Sequence, residues 1–253
     1  MLLLGYLLAL VIGATLGVLG GGGSILTVPV FVYVLGYDPK LAIAMSLPVV
    51  GATSLVGAVA HWRVGNLHLR TALVFGVVAM AGAFTAARLS ARLTGRTQLF
   101  VLGVAMLVSA GLMLHDRPAA PAPPAEAGGR HLFAAPLLLS GFGVGALTGM
   151  VGIGGGFLIV PALVVLARVP MRPAVGTSLT VIAMNAAAGF AGQPRVGEIP
   201  LGFVITFGGV TIAGVIAGTW GARHVPQGTL KRAFAALLLV IAAGLLWQNR
   251  ALW

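Results

Sequence analysis

The chain consists of long apolar runs separated by short polar breaks. The runs approach or reach the length of about 20 residues that an α-helix needs to cross roughly 30 Å of membrane hydrocarbon. Asp38 and Pro39 supply an N-cap and a first-turn proline for one helix, and Thr97 and Thr229 are predicted to cap the last helix of each half. The clearest predicted helices cover residues 2–19, 41–60, 69–87, 99–114, 201–221 and 230–247.

Composition places nearly all of this chain in a membrane. Of its 253 residues, 59% are hydrophobic and only 8% are charged, and the mean hydropathy is +1.07. In an ordinary soluble domain about a quarter of the residues are charged. This chain has too few charged residues to cover a surface that faces water. We therefore expect a multi-pass membrane protein in which the lipid bilayer surrounds most of the mass.

A glycine-rich motif occurs twice in the chain. Residues 17–29 read GVLGGGGSILTVP and residues 149–161 read GMVGIGGGFLIVP, so the copies lie 132 residues apart. The register continues without a gap through the helices that follow, which indicates a duplicated domain. The predicted domains are transmembrane repeat 1 at residues 1–115, a Pro/Ala-rich linker at 116–130 and transmembrane repeat 2 at 131–253.

The glycine clusters interrupt the first apolar element of each repeat. Each glycine costs about 1 kcal/mol against alanine in a helix, and non-helical backbone at membrane depth survives only inside protein or beside a wet cavity. The apolar run at residues 24–35 is about 18 Å long as a helix, too short to span alone. The predicted fold is an all-α polytopic membrane protein of two homologous repeats, each with a Gly-broken or re-entrant first element and three transmembrane helices, or about eight nominal spans.

Two topologies are compatible with this pattern. If each Gly-broken element crosses the membrane, each repeat has four crossings and the repeats are parallel, whereas folding back gives three crossings and inverted repeats. Under either topology about nine Lys and Arg residues lie on one side of the membrane and six on the other, so the positive-inside rule does not distinguish the two topologies. We expect the inverted arrangement, because it brings the two glycine clusters together near the midplane.

The two glycine clusters are the predicted substrate site. Unwound backbone exposes N–H groups, and the positive end of a half-helix that starts at Ser24 or Gly156 adds to their field, so each cluster can hold an anion. The alternative is that the glycines only allow close helix packing. Gly13, Gly17 and Gly21 recur every four residues, which indicates such packing for the helix that precedes the first cluster. The predicted substrate-binding residues in the clusters are Gly20, Gly22, Gly23, Ser24, Gly152, Gly154, Gly155 and Gly156.

Three polar residues inside the apolar helices extend this predicted site. Ser46 and Ser178 occupy equivalent repeat positions, and Asn185 needs a partner or a wet cavity at mid-helix. A membrane serine can instead donate to a carbonyl of its own helix. Every acidic residue lies in a loop or at a helix end, so an anion path fits better than a cation path. The acids are Asp38, Asp116, Glu126 and Glu198.

Several other classes of function are disfavoured by the sequence. The net charge of +11 does not indicate nucleic-acid binding, because Lys and Arg stand singly or in pairs at the ends of apolar runs. A Walker A loop would need lysine where Gly23 stands. No carboxylate accompanies His61 and His68 and the chain has no cysteine, so no metal site is predicted. We expect no enzyme activity and no cofactor, since no serine, histidine and acid combine at membrane depth.

The duplicated glycine motif is followed at a fixed interval by AIAMSL at residues 42–47 and AVGTSL at residues 174–179. Together these segments resemble the sulfite exporter TauE/SafE family of membrane permeases, and the resemblance covers essentially the whole chain. It implies a multi-pass permease of a prokaryotic inner membrane that moves sulfite or organosulfur anions such as sulfoacetate outward. Ile153 interrupts the second glycine run, so we expect the two clusters to contribute unequally.

The resulting hypothesis is a transporter of small oxyanions that works by alternating access between two repeats. An anion channel is the main alternative, and an accessory membrane subunit that assists assembly of a partner complex is another. The expected ligand is a small anion, and a homo-oligomer is compatible with the sequence. The substrate, the direction of transport, the coupling ion and the side of the N-terminus are not determined by one chain.

Overall fold

The computed structural model describes residues 2–89, 93–115, 135–151, 156–166, 169–193, 195–222 and 224–248. These residues form helices and no strand. The predicted linker at 116–130 lies outside the described residues. The α-helices are α1 (Leu2–Leu19), α2 (Ser24–Pro29), α3 (Pro39–Arg63), α4 (Leu69–Leu89), α5 (Gly95–His115), α6 (Ala135–Val151), α7 (Gly156–Pro161), α8 (Met171–Ala191), α9 (Leu201–Ala222) and α10 (Gln227–Gln248).

Six of these helices are long and apolar enough to cross a membrane: α3, α4, α5, α8, α9 and α10. In the most apolar window, 67% of α3 and 61% of α8 is buried, against 39–44% of the other four, so α3 and α8 lie at the centre. The predicted all-α multi-pass class is therefore confirmed. Reaching eight nominal spans requires counting the two Gly-broken elements, whose helices are shorter.

The central helix α3 starts as its sequence predicts. The Asp38 carboxylate accepts hydrogen bonds from the backbone N–H groups of Lys40 and Leu41 at 3.0 and 3.3 Å, and Pro39 occupies the first turn. The predicted cap at Thr97 is wrong, because α5 already begins at Gly95 and the Thr94 hydroxyl accepts from the Thr97 N–H at 3.2 Å. Likewise α10 begins at Gln227, ahead of Thr229.

The chain folds back on itself after α1. Gly20 has a φ of +70°, a left-handed conformation that favours glycine, and the turn Gly20–Gly22 is a 3₁₀ helix. Gly23 then packs against the backbone of Ile12 and Leu16, and further along Leu35 contacts Gly5 near the start of α1. The segment after the glycines therefore returns along α1 towards the end at which α1 began.

Each short helix after a glycine cluster ends in a proline and continues as a π-helix. Pro29 precedes the π-helical segment Val30–Val34, and Pro161 precedes Ala162–Leu166. Proline lacks an N–H and cannot join the i→i−4 ladder, and a wider turn is one way in which the backbone accommodates it. In the first segment the Leu35 N–H bonds to the Val30 carbonyl at 3.0 Å. This half-helix agrees with the predicted residues 24–35.

Two pairs of helices pack backbone to backbone. Helix α1 runs parallel to α9, and α4 runs parallel to α6, with small residues at both seams. A methyl group at Gly17 would strike the α9 backbone at Val215 and Thr219, and one at Gly149 would strike Ala83 on α4. The predicted packing role is confirmed for Gly13 and Gly17, whereas Gly21 contacts Gly156 instead. The residues involved include Gly13, Gly17, Gly214, Gly218, Gly82, Gly145 and Gly149.

The helix starts recur at the same interval as the glycine motifs. The differences are 156 − 24, 171 − 39, 201 − 69 and 227 − 95, each equal to 132, for α7 and α2, α8 and α3, α9 and α4, and α10 and α5. The helix pairings follow the same correspondence, since α1 on α9 matches α6 on α4. Corresponding positions of the two halves are therefore placed in corresponding elements.

Candidate functional site

The first glycine cluster meets Gly156, the described residue of the second cluster, beside the central helix α8. The backbones of Gly21 and Gly156 are in contact, and a Cβ atom at either position would collide with the other residue. Both residues are buried. Gly20 lies beside α8, where a Cβ would stand 2.8 Å from the Ser178 Oγ and 3.2 Å from the Val175 Cα. The first cluster therefore touches the second cluster and the central helix of the second half.

One face of α8 contacts this meeting point. Ser178, Ile182 and Asn185 follow each other at spacings of four and three residues, so they share a face of the helix. Ser178 faces Gly20, and Ile182 contacts Gly156. Asn185 is one turn beyond Ile182 on the same face. Of the predicted site residues, the structure thus brings Gly20, Gly156 and Ser178 together.

The serine hydroxyls of the predicted site bond to the backbone. Ser24 donates to the Gly21 carbonyl, Ser46 to the Ile43 carbonyl and Ser178 to the Val175 carbonyl, each at 2.8 Å. All three serines are fully buried. A hydroxyl has a single proton to donate, so in this conformation none of the three donates to a ligand. Ser46 occupies on α3 the position that Ser178 occupies on α8.

Asn185 is fully buried, and neither end of its amide has a hydrogen-bond partner among the described residues. An unpaired buried amide is expensive, at about 1–3 kcal/mol, and is usually explained by a functional need or an unseen ligand. Two further buried hydroxyls, on Thr27 of α2 and Ser54 of α3, also lack partners within the described chain. Sequence inspection did not assign these two hydroxyls to the site, because isolated hydroxyls in apolar runs are common.

The remaining residues of the predicted site belong to the two glycine clusters. Gly22 belongs to the 3₁₀ turn, and Gly23 packs against α1. Gly156 begins α7. The other members of the second cluster, Gly152, Gly154 and Gly155, lie outside the described residues.

A cavity of about 280 Å³ adjoins the first glycine cluster. Its wall includes Val175, which also lies beside Gly20. None of the described residues that line it is acidic, and four carry hydrogen-bonding side chains, which the sequence did not assign to a substrate site because they are scattered along the chain. The lining residues are Val18, His61, Val64, Asn66, Arg172, Val175, Thr219, Ala222 and Leu230.

The polar wall of this cavity is held in place by contacts between helices. The His61 Nε2 lies 3.1 Å from the Gly17 carbonyl in the last turn of α1, and since a carbonyl only accepts, Nε2 carries the proton. The Arg172 Nη2 donates to the Val225 carbonyl at 3.1 Å. The Asn66 backbone packs against Gly176 at the start of α8. This side of the bundle is called the Asn66 end below.

The opposite side of the bundle carries an ionic cluster and is called the Asp38 end. The Arg195 Nη1 lies 3.0 Å from the Asp38 Oδ1, and the Arg195 Nε lies 3.4 Å from the Glu198 Oε1. Asp38 precedes α3 and Arg195 follows α8, so the pair connects the two halves. The same end holds Pro39 against Gly95, at the starts of α3 and α5.

No group of three or more His, Asp or Glu side chains suited to a metal ion occurs within the described ranges. The buried helices, the apolar surface and the fold-back at the glycine cluster define a multi-pass helical membrane protein. A family model described as "Sulfite exporter TauE/SafE" matches residues 5–245. The chain belongs to this family of membrane transporters.

Named relatives support the same assignment. The chain is 34% identical over 251 residues to a probable membrane transporter protein of Xylella fastidiosa strain 9a5c, covering 95% of this chain and 93% of the relative. It is 27% identical over 241 residues to the probable membrane transporter protein YdhB of Bacillus subtilis strain 168, covering 95% and 97%. No solved structure matches the chain significantly.

Proposed function

We propose that this protein transports small oxyanions, in particular sulfite or organosulfonates such as sulfoacetate, by alternating access between two inverted repeats. Two observations carry the proposal: Gly21 and Gly156 are in contact, and Asn185, on the face of α8 that contacts Gly156 through Ile182, is fully buried with an amide that has no partner among the described residues. Irregular backbone and an unsatisfied amide are costly at membrane depth. A binding site for a polar ligand accounts for both.

Inverted repeats require each glycine element to fold back without crossing. Leu35 contacts Gly5, so residues on either side of the first cluster return to one end of the bundle. The Asp38–Arg195 ion pair then places the start of α3 at the same end as the end of α8. Three crossings per half satisfy this arrangement, whereas four crossings would put Asp38 and Arg195 on opposite sides.

The charge of the transported species follows from the distribution of acids. Asp38 and Glu198 are paired at the Asp38 end, and the other two acids, Asp116 and Glu126, lie between the halves in sequence. No described transmembrane helix carries an acidic residue. A cation at the glycine clusters would find no counter-charge, while an anion can accept hydrogen bonds from backbone N–H groups and from the Asn185 amide.

Alternating access needs two states that differ in which end is closed. In this structure Gly21 is in contact with Gly156, the ionic cluster joins the halves at the Asp38 end, and the cavity lies at the Asn66 end. If the Asp38 end and the Asn66 end opened alternately, Gly21 and Gly156 would be exposed first to one side of the membrane and then to the other. We place the protein in the prokaryotic inner membrane and assign it no enzymatic activity.

A substrate screen in proteoliposomes tests this function. Sulfite, sulfoacetate, sulfate and chloride would each be offered at several concentrations to vesicles with and without the protein. Saturable, selective flux of a sulfur oxyanion supports the proposal. Linear flux with single-channel currents would instead indicate a channel, and the absence of flux for every anion would favour an accessory subunit.

A further inference from the structure

We propose that the cavity at the Asn66 end is a separate entry site for the anion, in which Arg172 supplies the counter-charge. This inference rests on the proposed function, because it concerns the same substrate before it reaches the glycine clusters. The cavity and the clusters are neighbours, since Val175 lines the cavity and lies beside Gly20. An anion held here would need to move only past this boundary to reach Gly21 and Gly156.

Arg172 is suited to hold an oxyanion in this position. Its guanidinium is charged at every physiological pH and presents five N–H donors in a rigid fork that matches sulfonate, sulfite and carboxylate oxygens. The bond from Nη2 to the Val225 carbonyl fixes the fork at the cavity wall, between α8 and the segment before α10. The described residues that line the cavity include no acid, so this lining carries no negative charge that would repel an anion.

Thr219 provides the second observation. It is only 4% exposed, lines the cavity, and its hydroxyl has no hydrogen-bond partner in the part of the chain that the structure describes. A buried hydroxyl without a partner is unfavourable, and an anion oxygen in the cavity would accept its proton. The Asn66 side chain and the His61 ring also line the space, so the wall combines one cation with several polar groups.

The residues that line the cavity are not reproduced at the equivalent positions of the Asp38 end. By the 132-residue interval, Lys40 corresponds to Arg172, Gln193 to His61 and Glu198 to Asn66. Glu198 lies 3.4 Å from Arg195 and introduces a negative charge at the Asp38 end. The two ends therefore differ chemically, and the entry site belongs to the Asn66 end.

The volume is compatible with a small sulfonate. A cavity of about 280 Å³ has room for several water molecules, and therefore for a small oxyanion with part of its hydration shell. Sulfoacetate carries two anionic groups, so one can bind Arg172 while the other remains hydrated. The expected ligand is a small mono- or divalent oxyanion with at least two oxygens that a planar guanidinium can contact together.

The absence of cysteine from the chain allows a direct binding assay. Val64 lines the cavity, and Val64→Cys would introduce the single thiol of the protein. In nanodiscs, an anionic sulfonate-bearing methanethiosulfonate reagent should label this thiol faster than its cationic analogue. Sulfoacetate should protect the thiol in a saturable manner, and chloride at the same ionic strength should not.

Substitutions made on the Val64→Cys background assign the protection to Arg172. Arg172→Gln should raise the sulfoacetate concentration for half-protection about tenfold or more, the usual effect of losing a charge-assisted contact. Arg63→Gln is the matched control, because Arg63 is exposed at the same end and does not line the cavity; it should leave protection unchanged. Thr219→Val keeps the side-chain shape and should weaken protection severalfold, which covers the outcome that Arg172→Gln does not fold.

The outcomes distinguish the entry site from the transport function. Equal protection in the parent, Arg172→Gln and Thr219→Val backgrounds, or no protection in the parent, would overturn the entry site even if proteoliposomes transport sulfoacetate. Protection that depends on Arg172, in a protein that transports no anion, would support the binding site and overturn the transport function. Loss of protection in Arg63→Gln as well would reduce the effect to surface charge and would also overturn the proposal.

Discussion

Gly21 and Gly156 touch through their backbones at the centre of the bundle. They come from the two glycine clusters, which lie in different halves of the chain, and neither position has space for a Cβ atom. Direct backbone contact keeps side chains out of this point, so the polar groups available there are peptide N–H and carbonyl groups. In the proposed alternating-access cycle, such a surface could separate without repacking side chains.

Replacement of Gly21 by alanine should disrupt this contact. A methyl group would strike Gly156 backbone atoms, which cannot move aside as a flexible side chain could, so we expect a loss of about 2 kcal/mol or more and loss of transport. Gly209→Ala is the control, because a Cβ at that helical position would meet no atom within 4 Å other than those of its own helix backbone. Thermal unfolding in detergent and flux per folded molecule are the measurements; equal behaviour of the two variants would contradict the contact.

Replacement of Asn185 by leucine should separate stability from function. Removing a buried amide without a partner within the described residues should leave stability unchanged or raise it by about 1–3 kcal/mol. Transport should fall sharply, because the ligand loses a donor on the α8 face that contacts Gly20 and Gly156. Unfolding temperature and flux would be measured on the same preparation. A destabilised variant that keeps full transport would assign Asn185 a purely structural role.

Two substitutions of Ser24 should have unequal effects. Ser24→Ala removes the 2.8 Å hydrogen bond to the Gly21 carbonyl, and we expect a cost of about 1 kcal/mol with transport retained. Ser24→Asp places a carboxylate in a fully buried position, where it faces a carbonyl and repels an approaching anion in a medium of low dielectric constant. Flux of sulfite should be lost in the aspartate variant. Normal sulfite flux in folded Ser24→Asp protein would remove the glycine clusters from the anion path.

Substitution of Arg195 should shift the balance between the two conformations. The side chains of Arg195 and Asp38 are 39% and 59% exposed, so their ion pair is worth no more than about 1 kcal/mol. Arg195→Gln should therefore barely alter the unfolding temperature. It should slow thiol labelling of Val64→Cys up to about fivefold, because the Asp38 end opens more often and the Asn66 end closes. Unchanged or faster labelling would contradict a closing role for the pair.

The sequence predicted the helices and the glycine clusters well, because both rest on local rules. The N-cap at Asp38 and the break at Gly20 follow from short-range hydrogen bonding and from glycine propensity, and both are present. The predicted cap at Thr97 failed by a few residues, since Thr94 offers the same hydroxyl one turn earlier. Family membership was recognised from the duplicated motif and is confirmed by the family match.

The cavity at the Asn66 end could not be predicted from local pattern. Arg172 and Thr219 lie far apart in the chain and line one cavity only because α8 and α9 both pack against α3. His61 was considered only for a metal site, and its bond to Gly17 joins helices that no sequence period relates. The back-bonds of Ser24, Ser46 and Ser178 were an alternative at the sequence level, and only side-chain positions decide between a carbonyl and a ligand.

Counterflow in proteoliposomes tests the central claim most directly. Vesicles would be loaded with a high concentration of unlabelled sulfoacetate and diluted into medium that contains a trace of labelled sulfoacetate. Alternating access predicts that label accumulates transiently inside, above its equilibrium level, because each inward step is driven by an outward one, and that Gly209→Ala does the same. Label that only equilibrates, at a rate that internal sulfoacetate does not change, would contradict alternating access, and the absence of any uptake would contradict transport of this anion.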